Sequence, residues 1–180
     1  MAPVVLWVDE IEKGFAQVEA GESSVRVFGS FLTWLAEKKA EVFVVATAND
    51  VSALPPELLR RGRFDEVFFV DLPNVHERLE ILRIHLGKRG RSPETFPELD
   101  GVARRAEHFS GAELEQVVIA GLYRAFSAER ELVDEDLDIA LKQTVPLYRT
   151  YEEKIKGLRD WAKTRARPAT LDSSVLDLFG

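Results

Sequence analysis

In VVLWVDE, residues 4–10, five apolar residues run directly into Asp9 and Glu10. Adjacent carboxylates at the tip of a buried strand can divide labour. The first can hold a magnesium ion through water, while the second takes a proton from an attacking water. A second apolar run, VFVVATA at 42–48, carries Thr47 near its end and is followed by Asn49. An asparagine beside such an acid pair can orient the water or a terminal phosphate. The alternative for Asp9 and Glu10 taken alone is that they start a helix, where carboxylates favour the positive end of the dipole. The pairing with Asn49 favours the site.

A second candidate lies in LLRRGRFDEV, residues 58–67. Arginine stays charged and forks onto phosphate oxygens, so Arg60 and Arg63, flanking the turn-forming Gly62, could clamp a transferring phosphoryl group. The competing account is that these cations stabilise the C-terminal end of a short helix. The three histidines, His76, His85 and His108, lack close metal-ligand spacing, and the chain has no cysteine, so disulfide and thiolate chemistry are excluded.

These residues need a scaffold. The two apolar runs do not alternate with polar residues, which predicts strands covered on both faces of a parallel sheet. Parallel strands need a crossover helix, and SSVRVFGSFLTWLAEKK supplies one, with Val27, Phe28, Phe31, Leu32 and Leu35 on one face. Segment 14–25 before it reads as a surface loop. A short helix is expected over ALPPELLRRG, with prolines in its first turn and Gly62 as its cap, leading to a third strand at 66–72.

After Pro73 the pattern becomes helical. Asn74 with Glu77 matches a capping box ahead of Leu79, Leu82 and Leu86, and Ser110 with Glu113 matches another ahead of Leu114, Val117, Val118, Gly121, Leu122 and Ala125. Between them KRGRSPETFPE reads as a linker. Further helices are expected at 134–145 and 151–166, the acidic run DEDLD as a solvated helix start, and the basic face of the last helix as solvated, with Ile155, Leu158 and Trp161 packed. The final residues, including VLDLF, read as a loose tail.

With 180 residues, 46% of them hydrophobic, the chain can bury a real core. Its formal charge of −7 speaks against a broad nucleic-acid or anionic-membrane surface. No apolar run reaches the length of a membrane span, which makes cytoplasm the expected location.

The order of the pieces carries a resemblance. VVLWVDE, VVATAND, LPPELLRRGRFDEVFFVDLP, RLEILRIH and FSGAELEQVV together resemble part of the ATPase module of the AAA family, within the wider AAA+ class. The resemblance implies an α/β fold, a partial parallel sheet with flanking helices, followed by a small all-helical lid. It divides the chain into a nucleotide-binding part at 1–74, a lid at 75–147 and a C-terminal helix and tail at 148–180. It makes VVLWVDE the Walker B strand, with Asp9 the magnesium acid and Glu10 the base. It places Asn49 at sensor 1 and makes Arg60 and Arg63 arginine fingers that reach a neighbouring subunit's nucleotide. It puts His85 near the ribose and base, and Gly111 and Ala112 at the sensor 2 helix. ATP and magnesium are the implied cofactors in a completed module, a homo-oligomer or a complementary AAA+ subunit the implied partner, and a protein the implied substrate. The phrases VFGSFLTWLAEK and LRDWAKTRARPA are similar to AAA-domain proteins of cyanobacteria and algal plastids, which adds the plastid stroma as a location.

One departure is plain. Nothing in the chain fits the phosphate loop G-x-x-x-x-G-K-[ST]. The expectation is therefore a fragment, a truncated product or one half of a split module, inactive by itself. Two other functions compete with an ATPase part. One is a non-enzymatic module that offers arginines to a partner. The other is a helicase-type motor, against which the short interval from Asp9 to Arg63 counts.

Overall fold

The computed structural model describes residues 2–16, 22–60 and 62–170. The chain forms two compact units, Met1–Phe68 and Phe69–Gly180, each described here by itself.

In the first unit β1 (Val4–Val8) and β2 (Val42–Ala46) pair in parallel, from Val4 opposite Val42 to Val8 opposite Ala46. The ladder continues past both strands: Thr47 N donates to Val8 O at 3.0 Å, and Ile11 N to Thr47 O at 2.9 Å. The crossover is made by α1 (Ile11–Ala16) and α2 (Glu22–Glu37). The expected loop at 14–25 is therefore helical at both ends, and its residues 17–21 lie outside those described. Ile11, Phe15, Leu35, Leu54 and Leu58 form a buried cluster onto which Val8, Val44, Ala46, Phe31 and Leu32 pack.

The expectation that both faces of the strands are covered fails. Val8, Val44 and Ala46 face the cluster, but on the other face Val5, Trp7 and Phe43 are 64%, 62% and 69% exposed. Among the described residues of this unit the sheet has two strands, and the unit's own helices pack on one side of it. The third expected strand shrinks to β3 (Phe68–Phe69), which pairs with β4 (Arg167–Pro168) instead of joining β1 and β2. Ala169 N donates to Phe69 O at 2.9 Å.

The expected helix over 53–62 is absent too. A 3₁₀ turn at Val51–Ala53, begun by the Asp50 side chain accepting from Ser52 N, is followed by single turns closed by Leu58 N to Pro55 O and Arg60 N to Glu57 O. The prolines stand where a helix would begin, but the chain goes no further than these turns of three-residue spacing. Gly62 does take a left-handed φ of 90°, as its place at the end of the turn requires.

The second unit is helical: α3 (Val75–Lys88), α4 (Leu99–Arg105), α5 (Gly111–Ser127), α6 (Asp134–Gln143) and α7 (Tyr148–Ala162). Both capping boxes form, Asn74 with Glu77 on α3 and Ser110 with Glu113 on α5. Leu82, Leu86, Leu114, Val117, Val118 and Leu137 are fully buried in one core. Gly121 lets α6 come close, since a Cβ there would stand 3.1 Å from a Leu137 methyl. The supposed linker at 88–98 is part of this core: Phe96 is buried, and α4 after it adds Leu99, Val102 and Ala103.

The acidic run at 134–138 is not a solvated helix start. Asp136 is buried, and Arg130 forks onto it, Nη2 to Oδ1 at 2.8 Å and Nη1 to Oδ2 at 2.5 Å, while Arg124 Nε lies 3.2 Å from Oδ1. Val133 N also donates to it. The basic face of α7 is likewise partly engaged. Arg159 donates through Nε and Nη2 to the Asp71 carboxylate and stands over the Tyr148 ring, which stacks on His108 at 4.2 Å.

The Arg130 guanidinium holds the Asp136 carboxyl below its ordinary value of 3.8. A carboxylate lowered on folding stabilises fully above its unfolded value, and that stability is lost as pH falls through the folded one. Asp136→Asn is therefore expected to cost about 3 kcal/mol at pH 7, the low end for breaking a buried pair because both guanidiniums are half-exposed. Urea unfolding followed by helical circular dichroism should show the gap between wild type and variant closing as pH is lowered beneath 3.8. A gap independent of pH would remove the ion pair as its cause.

Candidate functional site

The polypeptide leaves β1 through Asp9 and Glu10 and enters α1 at Ile11. Glu10 has a left-handed φ of 50°, which few residues with a Cβ adopt. Thr47, the residue after β2, holds that conformation from across the ladder. Its hydroxyl donates to Asp9 Oδ1 at 2.5 Å and accepts the Glu10 N–H at 2.9 Å. Asn49 completes the group, with Nδ2 donating to Glu10 Oε1 at 3.0 Å. Asp9, Glu10 and Asn49, three residues singled out from sequence, thus meet at the carboxyl ends of two adjacent parallel strands, where open α/β sheets bind ligands.

The two adjacent carboxylates have different partners. Asp9 takes the Thr47 hydroxyl and is otherwise exposed to solvent among the described residues. Glu10 Oε2 receives Lys13 Nζ at 2.5 Å, and that contact raises the lysine above its ordinary value. The Lys13 side chain is 68% exposed. An ion pair so open to water is weak, so it can exchange for another donor at little cost. Exposed carboxylate oxygens of this kind suit a hard divalent cation held through water.

The arginines bond elsewhere. Arg60 lies 3.9 Å from Glu57 Oε1 with its side chain 71% exposed, and Arg63 Nη1 donates to Glu57 O. Both sit on the turn after Leu58, and neither bonds to the acid group. In the second unit, His85 on α3 has Nδ1 3.4 Å from Glu115 Oε1, the same oxygen that accepts from Arg89 Nη2 at 2.8 Å. The Arg89 bond holds Glu115 below the usual carboxylate range. Gly111 opens α5, with space for a Cβ 3.7 Å from Ile81 Cδ1, one turn before His85, and Ala112 beside it is exposed. Gly111, Ile81, His108, Asn74 and Arg159 line a cleft of about 1050 Å³ that His85 itself does not reach.

Three participants carried no assigned role from sequence. Thr47 stood out as the hydroxyl near the end of the second apolar run, but its bridging of Asp9 and Glu10 depends on the strand pairing. Lys13 falls one helical turn from Glu10, at a spacing that lets side chains meet. Glu12 gave no signal, since an acid in a helix's first turn is expected to be solvated, yet it is buried and its Oε1 accepts from Asn49 N at 3.0 Å. Among the described residues no group of three or more acidic, histidine or cysteine side chains is arranged to hold a metal by itself. No described helix is long and apolar enough to cross a membrane.

Comparison with known proteins adds a family to this geometry. Residues 1–72 match the model of the ATPase family associated with various cellular activities, AAA. The chain is 51% identical over 176 residues to the AAA domain-containing protein ycf46 of Pyropia yezoensis, covering 95% of the chain and 36% of that protein. It is 36% identical over 142 residues to a proteasome-activating nucleotidase of Aeropyrum pernix, covering 75% of the chain and 34% of the nucleotidase. The chain thus spans about a third of the length of these relatives. Among solved structures, the crystal structure of the FIGL-1 AAA domain superposes with a TM-score of 0.74 at 19% identity, over 92% of this chain and 58% of that one, a likeness of fold.

The Thr47 bridge makes a prediction that concerns folding alone. Thr47→Val keeps shape but removes the hydroxyl, leaving the Glu10 N–H unpaired, and is expected to destabilise the first unit by about 1–3 kcal/mol. Thr47→Ser should lose far less. Denaturant titrations of the three proteins measure this, and a Val variant as stable as wild type would show that the hydroxyl does not organise the junction.

Proposed function

The chain belongs to the AAA family of ATPases, and from that premise we propose that its first unit supplies the acid and sensor residues of an ATP-hydrolysing site in a longer protein. The observation that carries the proposal is the bonded group of Asp9, Thr47, Glu10 and Asn49 at the ends of β1 and β2. Asp9, with an oxygen-only donor set open to solvent, fits magnesium held through water. Magnesium bound with ATP would neutralise charge on the phosphates. Glu10 takes the proton of the attacking water at Oε2, exchanging its contact with Lys13 for the water, and Asn49 keeps Oε1 in place. The products are ADP and phosphate, with the proton passing from Glu10 to solvent.

The phosphate-holding loop that such a site needs is not in this sequence. We assign it to further chain of the parent protein or to a complementary subunit. The open face of Val5, Trp7 and Phe43 supports that assignment, because apolar strands so exposed call for a covering layer. Arg60 and Arg63 sit on an exposed turn and act on the nucleotide of a neighbouring subunit in a ring. His85, Gly111 and Ala112 contribute to the base and ribose side of the site. The work coupled to hydrolysis is remodelling of a protein substrate. A second reading, a module that donates its arginines without hydrolysing ATP itself, is favoured by the near-free Arg60 side chain.

Mixing tests the division of roles between Glu10 and the arginines. Parent protein carrying Glu10→Gln is combined with parent protein carrying Arg60→Ala and Arg63→Ala, each expected to be slowed about 10²–10⁵-fold alone. Mixed rings contain interfaces where an intact base faces intact arginines, so ATP turnover should partly return. Mixed rings, verified by mass, that stay as inactive as their parents would show that the arginines do not act between subunits.

A further inference from the structure

Glu12 is the acid of the β1 to α1 junction to which the proposed chemistry gives no part. It is 7% exposed and the second residue of α1, the helix that gives Ile11 and Phe15 to the apolar cluster. Its Oε1 accepts the backbone N–H of Asn49 at 3.0 Å, while Oε2 is buried without a hydrogen-bond partner among the described residues. Burying a carboxylate with one oxygen unsatisfied is costly. Interaction with the helix dipole does not account for that cost, because an exposed acid in the first turn serves the dipole as well. What burial provides is a fixed, charge-assisted acceptor for one amide 37 residues away.

That amide belongs to the residue whose side chain meets the base. Asn49 Nδ2 donates to Glu10 Oε1 at 3.0 Å, so Glu12, Asn49 and Glu10 form a chain in which a buried carboxylate fixes the backbone of the asparagine and the asparagine fixes the base. We infer that Glu12 is a positioning residue for the Asn49 and Glu10 pair. It acts through the Asn49 backbone. Without it the segment after β2 keeps its strand bonds up to Thr47 but loses the restraint that aims the Asn49 amide. A catalytic pair needs its geometry held by such supporting bonds. The inference rests on the ATPase reading for its consequence but not for its geometry.

Two measurements test it. In this chain, amide-resolved hydrogen exchange is compared for wild type, Glu12→Leu, which stays apolar, and Glu12→Gln, whose carbonyl can accept the same bond. Exchange at Asn49 should accelerate about 10- to 100-fold in the Leu variant, the value of a hydrogen bond to a charged group, and only severalfold in the Gln variant. Val45 in β2, whose N–H points to β1 in the parallel ladder, serves as the control for folding of the unit. In the parent protein, Glu12→Leu should lower kcat for ATP about 10- to 100-fold with KM nearly unchanged, and Glu12→Gln should restore most of it. In an Asn49→Ala background, Glu12→Leu should cost almost nothing further, since both changes break one chain of contacts. An equal loss in both backgrounds, a rise in KM with kcat kept, or unchanged Asn49 exchange with Val45 protected would each overturn the inference. A parent protein whose ATP turnover is absent in wild type would sink the ATPase reading instead, and the Asn49 exchange rates would still decide whether Glu12 positions that residue. Should Glu12→Leu fail to fold, the Gln variant decides: Asn49 exchange unchanged from wild type with Val45 still protected contradicts the inference.

Discussion

The Thr47 hydroxyl, donating to Asp9 and accepting from the Glu10 amide, is the contact on which the arrangement of the first unit turns. It lies where the parallel ladder ends, so its position follows from the register that sets Val8 opposite Ala46. Shift that register by one residue and Thr47 would face the other side of the sheet. The left-handed backbone of Glu10 costs on the order of 1–3 kcal/mol, and it persists because this bridge and the Ile11 to Thr47 bond hold both sides of the junction. The site is thus stored in the strand pairing itself.

The two units solve their packing differently. The helical unit is closed: capping boxes at Asn74 and Ser110 start α3 and α5, the fully buried Leu82, Leu86 and Leu114 join them, and Asp136 ties α6 to Arg124 and Arg130. The strand unit is open on the face of Val5, Trp7 and Phe43. A continuous apolar strand is the pattern of a sheet with a layer on each face, and the chain spans about a third of the length of its relatives.

What could be read from the sequence was local. A capping box lies within four residues, and Leu82 with Leu86, like Leu114 with Val118, is spaced by about one turn, so α3 and α5 were legible. α4 was legible in principle, since Leu99, Val102, Ala103 and Ala106 recur at helical spacing, but Gly101 and a length of seven residues hid it. The acids and Asn49 were legible because each follows an apolar run. Burial of Glu12 and Asp136 was not, because it depends on partners, the Asn49 amide and two arginines, that pattern alone does not bring near. The loss of the third strand was hidden for a related reason: an apolar run such as EVFFVDL states a preference for extension, while pairing depends on which strands are beside it.

The claim at the centre is that Glu10 serves as the base for ATP hydrolysis while the bound nucleotide is held by other groups. Nucleotide binding and single-turnover hydrolysis, measured together on parent protein with Glu10→Gln, address it directly. The account predicts magnesium-dependent ATP binding close to that of wild type and a hydrolysis step slowed by about 10²–10⁴-fold. Hydrolysis at an undiminished rate in the Gln variant would contradict it and return Asp9 and Glu10 to the role of a helix start.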